Sequence, residues 1–451
     1  MSRKRPKKHK QPYTAVTVPF SATPPREPVT IRQWAQSLVW TENMLTTLLE
    51  NRVRGGKWHT LYDKVMDRAN LSISAVKVVE KQGAAGVDRQ TVEKFWENHR
   101  ENLEQLQREL KDESYRPAPV RSVEIPKPGS RTETRRLGIP TVRDRVVQKA
   151  LVHVLEPILD HSFHPRSFGF RHGMRCEDAL RCVEQLMGEG YVYVVDADLK
   201  SYFDTIPKDR LLALVQQKIS DSAVLRLVKK YLDQSVMSTL STWTPINGVP
   251  QGAVLSPLLA NLYLNPLDHL MSEKGYQMVR YADDFVILCK SESEARAALE
   301  EVRSWVEQAG LTLHPDKTHI VDCREKSFSF LGYSFRGRLR FPRSKSHKKL
   351  VDRIRALTPR SSGVSLKVTI DRLNRMLPGW FRYFRHCFWH LFGDYDGFIR
   401  ERLRRILTKR HRRNPQRLPS HKRWKDAYFS ELGLFSLREA HTRFVQSIGT
   451  Y

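Results

Sequence analysis

Met278-Val-Arg-Tyr-Ala-Asp-Asp-Phe-Val-Ile-Leu-Cys289 sets two adjacent acids between two apolar runs. Met278–Tyr281 and Phe285–Cys289 have the β-branched and aromatic composition of strands, and the residues between them suit a tight turn. The stretch therefore predicts strand, turn, strand, with Asp283 and Asp284 at the tip. Adjacent carboxylates repel one another, and a divalent cation would compensate their charge. Asp oxygens with open coordination positions suit Mg²⁺, which also takes substrate phosphates. An isolated Asp-Asp pair reads first as a solvated turn, so the reading depends on its company.

That company lies upstream. Tyr191-Val-Tyr-Val-Val195 has the pattern of a buried strand and runs into Asp196-Ala-Asp198-Leu-Lys-Ser-Tyr-Phe-Asp204. Asp198 and Asp283 are 85 residues apart, so only a fold could join them. Two ions held by such carboxylates could activate a hydroxyl nucleophile and stabilise the leaving oxygen of an in-line phosphoryl displacement. Between the clusters stands Asn247-Gly-Val-Pro-Gln-Gly-Ala-Val-Leu-Ser-Pro-Leu-Leu-Ala-Asn261. Gly248 and Gly252 are expected to let backbone approach a ligand closely, and Gln251 offers both donor and acceptor.

Further out, Val120–Pro126 and Arg135–Ile139 read as a basic hairpin about a turn at Lys127-Pro-Gly-Ser130. Thr30–Leu110 is helical in pattern, broken at Lys81–Asp88, where Gly83 and Gly86 suit unusual dihedrals. Arg143–Leu159, Ser293–Gly310, Thr369–His390 and Tyr395–Arg413 also read as helices, and Phe328–Arg340 as another hairpin. Residues 1 to about 30 are Pro-rich and read as linker, with a basic run at Arg3–Lys8 read as a solvated tail.

The whole chain has 451 residues, enough for two or three domains, and 40% are apolar, enough for real cores. Its net charge is +28, from 77 Lys and Arg against 49 Asp and Glu. Three quarters of that excess lies from Arg336 onward, a net +21 in 116 residues. Such an excess favours a polyanionic partner through counterion release. Trp380, Phe381, Tyr383, Phe384, Phe388 and Trp389 interleave with the basic residues; most of these rings are expected to be core, with the Arg faces gripping a nucleic-acid backbone. The five cysteines form no Cys-x-x-Cys pair, which argues against a disulfide framework and fits a reducing compartment. Val254–Leu267 is too short and too broken to span a bilayer. No membrane partner is expected, and the location expected is the cytoplasm of a bacterial-type cell.

Asp-x-Asp-Leu-Lys-x-Tyr-Phe-Asp, Gly-Val-Pro-Gln-Gly-x-x-Leu-Ser-Pro and Tyr-Ala-Asp-Asp, in that order, resemble the palm of a reverse transcriptase. Ile125-Pro-Lys-Pro-Gly129, Arg135–Gln148 and Ser167-Phe-Gly-Phe-Arg-His-Gly173 resemble group II intron reverse transcriptases in particular. Phe330–Phe335 is similar to their primer-side hairpin and Gly379–Arg385 to their thumb, or maturase, region. The resemblance covers roughly residues 60 to 440. It implies an α+β right-hand polymerase in three parts: a basic Pro-rich tail and helical extension (1–57), fingers and palm (58–336), and a basic helical thumb (337–451).

The resemblance further implies RNA-templated DNA synthesis with two Mg²⁺ ions, for which Mn²⁺ could substitute. Its partners would be intron RNA or another RNA template, a DNA primer or target, and deoxynucleoside triphosphates. Intron splicing and retrohoming would be a second role. Asp198, Asp283 and Asp284 would hold the metals. Lys317 would give a proton to the leaving pyrophosphate. Lys127 and Arg136 would neutralise the triphosphate, Gln251 would contact the nucleotide, Phe203 would exclude a ribose 2′-hydroxyl, and Asp204 would be structural. No endonuclease cluster of His and Cys follows the thumb, so strand cleavage is not expected. Rival readings are a binding-only maturase and a domesticated enzyme in host defence or a CRISPR-associated system.

Overall fold

The computed structural model describes residues 17–20, 39–50, 57–126, 134–238, 241–361, 363–411 and 419–447. The chain divides into two compact units: Pro25–Ile320, and a second that joins Met1–Pro24 to Val321–Tyr451. The division falls ahead of the expected start of the thumb at residue 337.

The strands of the first unit are β1 (Val120–Pro126), β2 (Thr134–Ile139), β3 (Tyr193–Asp198), β4 (Val236–Met237), β5 (Thr242–Trp243), β6 (Gln277–Tyr281), β7 (Asp284–Cys289) and β8 (His319–Asp322), in which the division falls. They form two sheets. The fingers sheet has the order β2-β1-β4-β5 and the palm sheet the order β6-β7-β3-β8. The basic hairpin is β1 and β2, paired antiparallel from Arg121↔Ile139 to Pro126↔Thr134. Its turn, with Lys127, lies outside the described residues. Nothing in the sequence announced β4, which adds to β1 in parallel at Val120↔Val236.

The helices begin where their caps require. Asp67 accepts from the amides of Ala69 and Asn70 to start Arg68–Glu80. Thr141 caps Val142–Asp160, and Ser291 caps Glu292–Gln308. These side chains satisfy amides that have no partner inside the helix. Val142–Asp160 is buried along most of its length, and the hydrophobic cluster about it reaches Leu71, Phe95, Val195, Leu259 and Ile287. The broken apolar stretch after residue 254 is a buried helix, Ser256–Glu273, with Pro257 in its first turn and Pro266 inside. Among the described residues, no helix is long and apolar enough to cross a membrane.

Gly83 and Gly86 correct an expectation. Neither has positive φ; Gln82 does, at 47°. They are glycine because a Cβ would meet Arg145 Nη1 at 2.4 Å and the Thr141 backbone at 2.7 Å.

In the second unit, β9 (Phe328–Phe330), β10 (Tyr333–Arg336) and β11 (Leu339–Pro342) form a three-stranded meander rather than a single hairpin. Helices Ser344–Leu357, Leu366–Phe384, His390–Arg410 and Leu437–Ser447 follow. Phe384 is buried, and Trp380, Phe381, Tyr383, Phe388 and Trp389 are half-buried, while Lys348, Lys349, Arg372 and Arg382 are exposed.

The linker reading of the amino end fails for its described part. Val18 and Phe20 are fully buried in the second unit. The Phe20 ring lies 5.3 Å from Tyr333 and 4.4 Å from His386, under the Arg340 guanidinium. His386 Nδ1–H donates to the Val18 carbonyl at 3.2 Å, and burial pushes this imidazole down to about 3, so it is neutral here. Farther along, Trp40 and Leu45 join the core of the first unit, where Trp40 Nε1 donates to His153 O. Proline frequency concealed these anchors. Basic run Arg3–Lys8 lies outside the described residues.

Replacing Phe20 by Ala should cost the second unit about 3 kcal/mol or more, as for other buried Phe side chains. Calorimetry should show the transition of that unit moved to lower temperature; an unmoved transition would contradict the anchor.

Candidate active site

Antiparallel pairing of β3 with β7 sets Asp198 directly across from Asp284, while β6 pairs with β7 up to Tyr281↔Asp284. Ala282 and Asp283 form the tight turn, and Ala282 takes φ +61° to close it. Three carboxylates therefore meet at one end of two adjacent strands. Burial raises the Asp283 pKa, and Asp198 raises it further, against the lowering effect of Arg280 and Lys317. The Lys317 ammonium pairs with Asp198 Oδ2, brought there by the hydrogen bond from His314 N to Asp198 O. Among the described residues, no three acidic, imidazole or thiol groups stand close enough to hold an ion as they are. Lys317 adds positive charge beside these carboxylates. The oxygen donors and their clustered charge fit a hard divalent cation.

The turn is held from behind. Arg280 is 0% exposed. Its Nε and Nη2 grip Asp268 at 2.8 and 2.5 Å, and its Nη1 donates to Asn261 Oδ1 at 3.0 Å and to Ala282 O at 2.8 Å. Asn261 in turn donates to Gly169 O at 2.7 Å. Gly169 lies flat on the turn, where a Cβ would stand 2.1 Å from Ala282 N. One guanidinium thus ties helix Ser256–Glu273, the Asp283 turn and the Ser167–Phe170 loop together.

Beside the loop opens a cleft of ≈ 460 Å³. Phe170, Phe203, Gln251 and Gly252 line it, with the cations Lys77, Lys81, Arg135, Arg145 and Lys149. Burial pushes the Lys149 ammonium down, Glu156 pulls it back up, and Lys81 and Lys77 push it down again. His153 is held down to about 3 by burial and by Lys149 and Lys77. Cations crowded this way favour a polyanion in the cleft.

Residues 125–335 match the family model described as "Reverse transcriptase (RNA-dependent DNA polymerase)", and residues 347–424 match "Group II intron, maturase-specific domain". Protein YkfC of Escherichia coli (strain K12) is 34% identical over 270 residues, which span 51% of this chain and 70% of that protein. Group II intron-encoded protein LtrA of Lactococcus lactis subsp. cremoris is 38% identical over 168 residues, 37% of this chain and 28% of that protein. The chain belongs to the reverse transcriptases that carry a group II intron maturase-specific domain. An uncharacterized 91 kDa protein in the cob intron of Schizosaccharomyces pombe is 28% identical over 337 residues, 61% of this chain. The match spans 40% of that protein, so the chain covers less than half the length of either intron-encoded relative named here.

Within this reverse transcriptase, the residues expected from sequence fall in two groups. Asp198, Asp283, Asp284 and Lys317 gather at the palm turn, and Phe203 and Gln251 line the cleft. Phe203 O accepts from Val249 N, and Gln251 O accepts from Gly138 N, so the Gly248–Gly252 loop is bonded to palm and fingers alike. Gly248 and Gly252 serve that packing: a Cβ would meet the Asp204 backbone at 2.8 Å and Gly138 O at 2.5 Å. Both also take positive φ, +95° and +112°, and Gly252 lines the cleft.

Arg136 lies on the expected hairpin but lines a different cavity from the cleft. Strand alternation puts Arg135 and Leu137 on the cleft face of β2 and turns Arg136 and Gly138 to the other. There Arg136 lies over the Trp243 ring, 5.8 Å from its centroid, in a separate cavity with Asp204. Arg135, Arg145, Lys149, Lys77 and Lys81 were missed. Four-residue spacing joins Lys77 to Lys81 and Arg145 to Lys149, a helical-face signal present in the sequence.

Replacing Gly169 by Ala should displace the Ala282 backbone and abolish function at the turn. Thermal melting of that variant should also drop; full stability with full function would show that the loop does not support the turn.

Proposed function

We propose that the palm turn and the cationic cleft together form the site of RNA-templated DNA synthesis. The observation that carries this reading is the contiguity of the two. Gly169 rests on the carboxylate turn while Phe170, the next residue, lines the cleft.

In this reading Asp198, Asp283 and Asp284 hold two Mg²⁺ ions. Bound there, the ions would activate the primer 3′-hydroxyl and stabilise the leaving oxygen. Arg135, Arg145, Lys149, Lys77 and Lys81 receive the triphosphate of a deoxynucleotide. Gln251 contacts that nucleotide, and Phe203 stands at its sugar. Lys317, already beside Asp198 and exposed, carries a proton for the departing pyrophosphate. Its ion pair with Asp198 orients that ammonium before substrate arrives. The basic faces of the thumb hold the primer–template duplex by its backbone. The maturase-specific match supports a second role in binding an intron RNA.

Primer extension on an RNA template with Mg²⁺ and deoxynucleotides should give product, and chelation of the metal should stop it. Absence of product with RNA binding intact would favour the binding-only reading. Asp283→Ala should abolish extension yet leave RNA affinity within about threefold, since it removes none of the cations that neutralise phosphates. Equal loss of both would make Asp283 structural. RNA affinity should fall steeply with salt, on the order of tenfold or more between 50 and 200 mM, because several phosphates are neutralised. A flat response would contradict binding by the basic thumb.

A further inference from the structure

Phe170 combines three features that core packing does not explain. Its ring is 50% exposed although it follows the buried Phe168 and a fixed Gly169. Its φ is +58°, a left-handed conformation that a bulky side chain rarely adopts. Its ring meets Phe203 edge to face, with centroids 6.5 Å apart and planes at 77°. An aromatic residue held in a strained backbone and left facing an open cleft costs stability twice over, and such costs collect at functional positions.

The backbone that imposes this conformation is rigid. Phe168 N donates to Arg280 O at 2.9 Å, Arg280 N donates to Arg166 O at 3.0 Å, and Asn261 holds Gly169 O. Arg171 grips Asp160 through Nε and Nη2, and its Nη1 donates to the carbonyls of His164 and Ser167. The loop is thus fastened on both sides of Phe170, and its ring is delivered to one place. Phe203, by contrast, sits in the short helix Tyr202–Thr205, pinned through its carbonyl to Val249. Phe203 is half-buried and lines the cleft, and Phe170 and Tyr202 are aromatic neighbours of its ring.

We propose that Phe170 is a positioning residue for sugar selection: it fixes the Phe203 ring and so sets the width of the cleft at the nucleotide sugar. This rests on the reading that the cleft takes a deoxynucleoside triphosphate. A hydrophobic wall rejects an added hydroxyl only weakly unless the wall cannot yield. Phe170 supplies that stiffness, as aromatic edge-to-face contacts fix ring geometry. The seat of the adjoining Gly169 on the Asp283 turn ties the width of the pocket to the position of the metal-binding carboxylates. The ring that judges the sugar and the groups that act on the phosphate then move together.

The experiment is single-nucleotide insertion by the full chain, comparing kcat/KM for a deoxynucleotide and its ribonucleotide. Wild type, Phe170→Ala, Phe170→Tyr, Phe203→Ala and the Phe170→Ala/Phe203→Ala double variant are compared. Phe170→Ala should raise the ribonucleotide-to-deoxynucleotide ratio about tenfold, mostly through a lower ribonucleotide KM, and Phe170→Tyr should restore the wild-type ratio. The double variant should be no more permissive than Phe203→Ala alone, as expected for residues acting through one another. A wild-type ratio in Phe170→Ala, alongside a relaxed Phe203→Ala, would overturn the inference and leave the proposed function standing. Equal loss for both nucleotides in Phe170→Ala would also overturn it, as the mark of a structural role. No deoxynucleotide insertion by wild type would instead remove the proposed function itself.

Discussion

The buried ion pair between Arg280 and Asp268 is the constraint from which the site is built. A guanidinium with no solvent must find partners for every N–H, because an unpaired buried charge costs several kcal/mol. Arg280 finds them on a helix, on the turn and, through Asn261, on a loop. The pair adds little as a net source of stability, since desolvation offsets much of its attraction. Its value is geometric. Removing either partner would strand a buried charge, so the pieces it joins cannot drift apart one at a time. Asp283 can then be partly buried, with its ionisation disfavoured, and still stand beside Asp198.

The fold was legible where one residue pattern had one structural meaning. Strands β1, β2, β6 and β7 could be read directly from alternation and turn residues. The turn at Asp283 followed from the same pattern. Register was also implicit: once β3 and β7 pair antiparallel, Asp198 and Asp284 have to meet. The parts that were not legible depend on nonlocal contact. Strand β4 is two residues long, too short for any periodicity, and exists because β1 offers an edge. The glycines at 83 and 86 are explained by neighbours distant in sequence, which no local rule supplies.

The site divided in the same way. Its acids were readable because they end strands and cluster in sequence. Its cations were only half readable. Arg135 and Arg136 are neighbours in sequence, yet the pleat sends them to opposite faces, so choosing between them required the strand phase. Lys77, Lys81, Arg145 and Lys149 come from two helices, or the cap of one, that pack against each other, and only that packing brings two ordinary basic faces to one cleft. Family resemblance located the chemistry without locating these side chains.

The Phe20 anchor bears on how the protein is made. Val18 and Phe20 leave the ribosome early, whereas Tyr333 and His386, against which they pack, come more than three hundred residues later. At ordinary synthesis rates that interval is on the order of tens of seconds. Through it, the amino-terminal apolar residues have no native partner, while the Pro25–Ile320 unit can already close around its own core. Completion of the second unit thereby recovers a segment made long before its partners. A bulky fusion at the amino end, or a chaperone that retains it, would delay the thumb before it disturbed the palm.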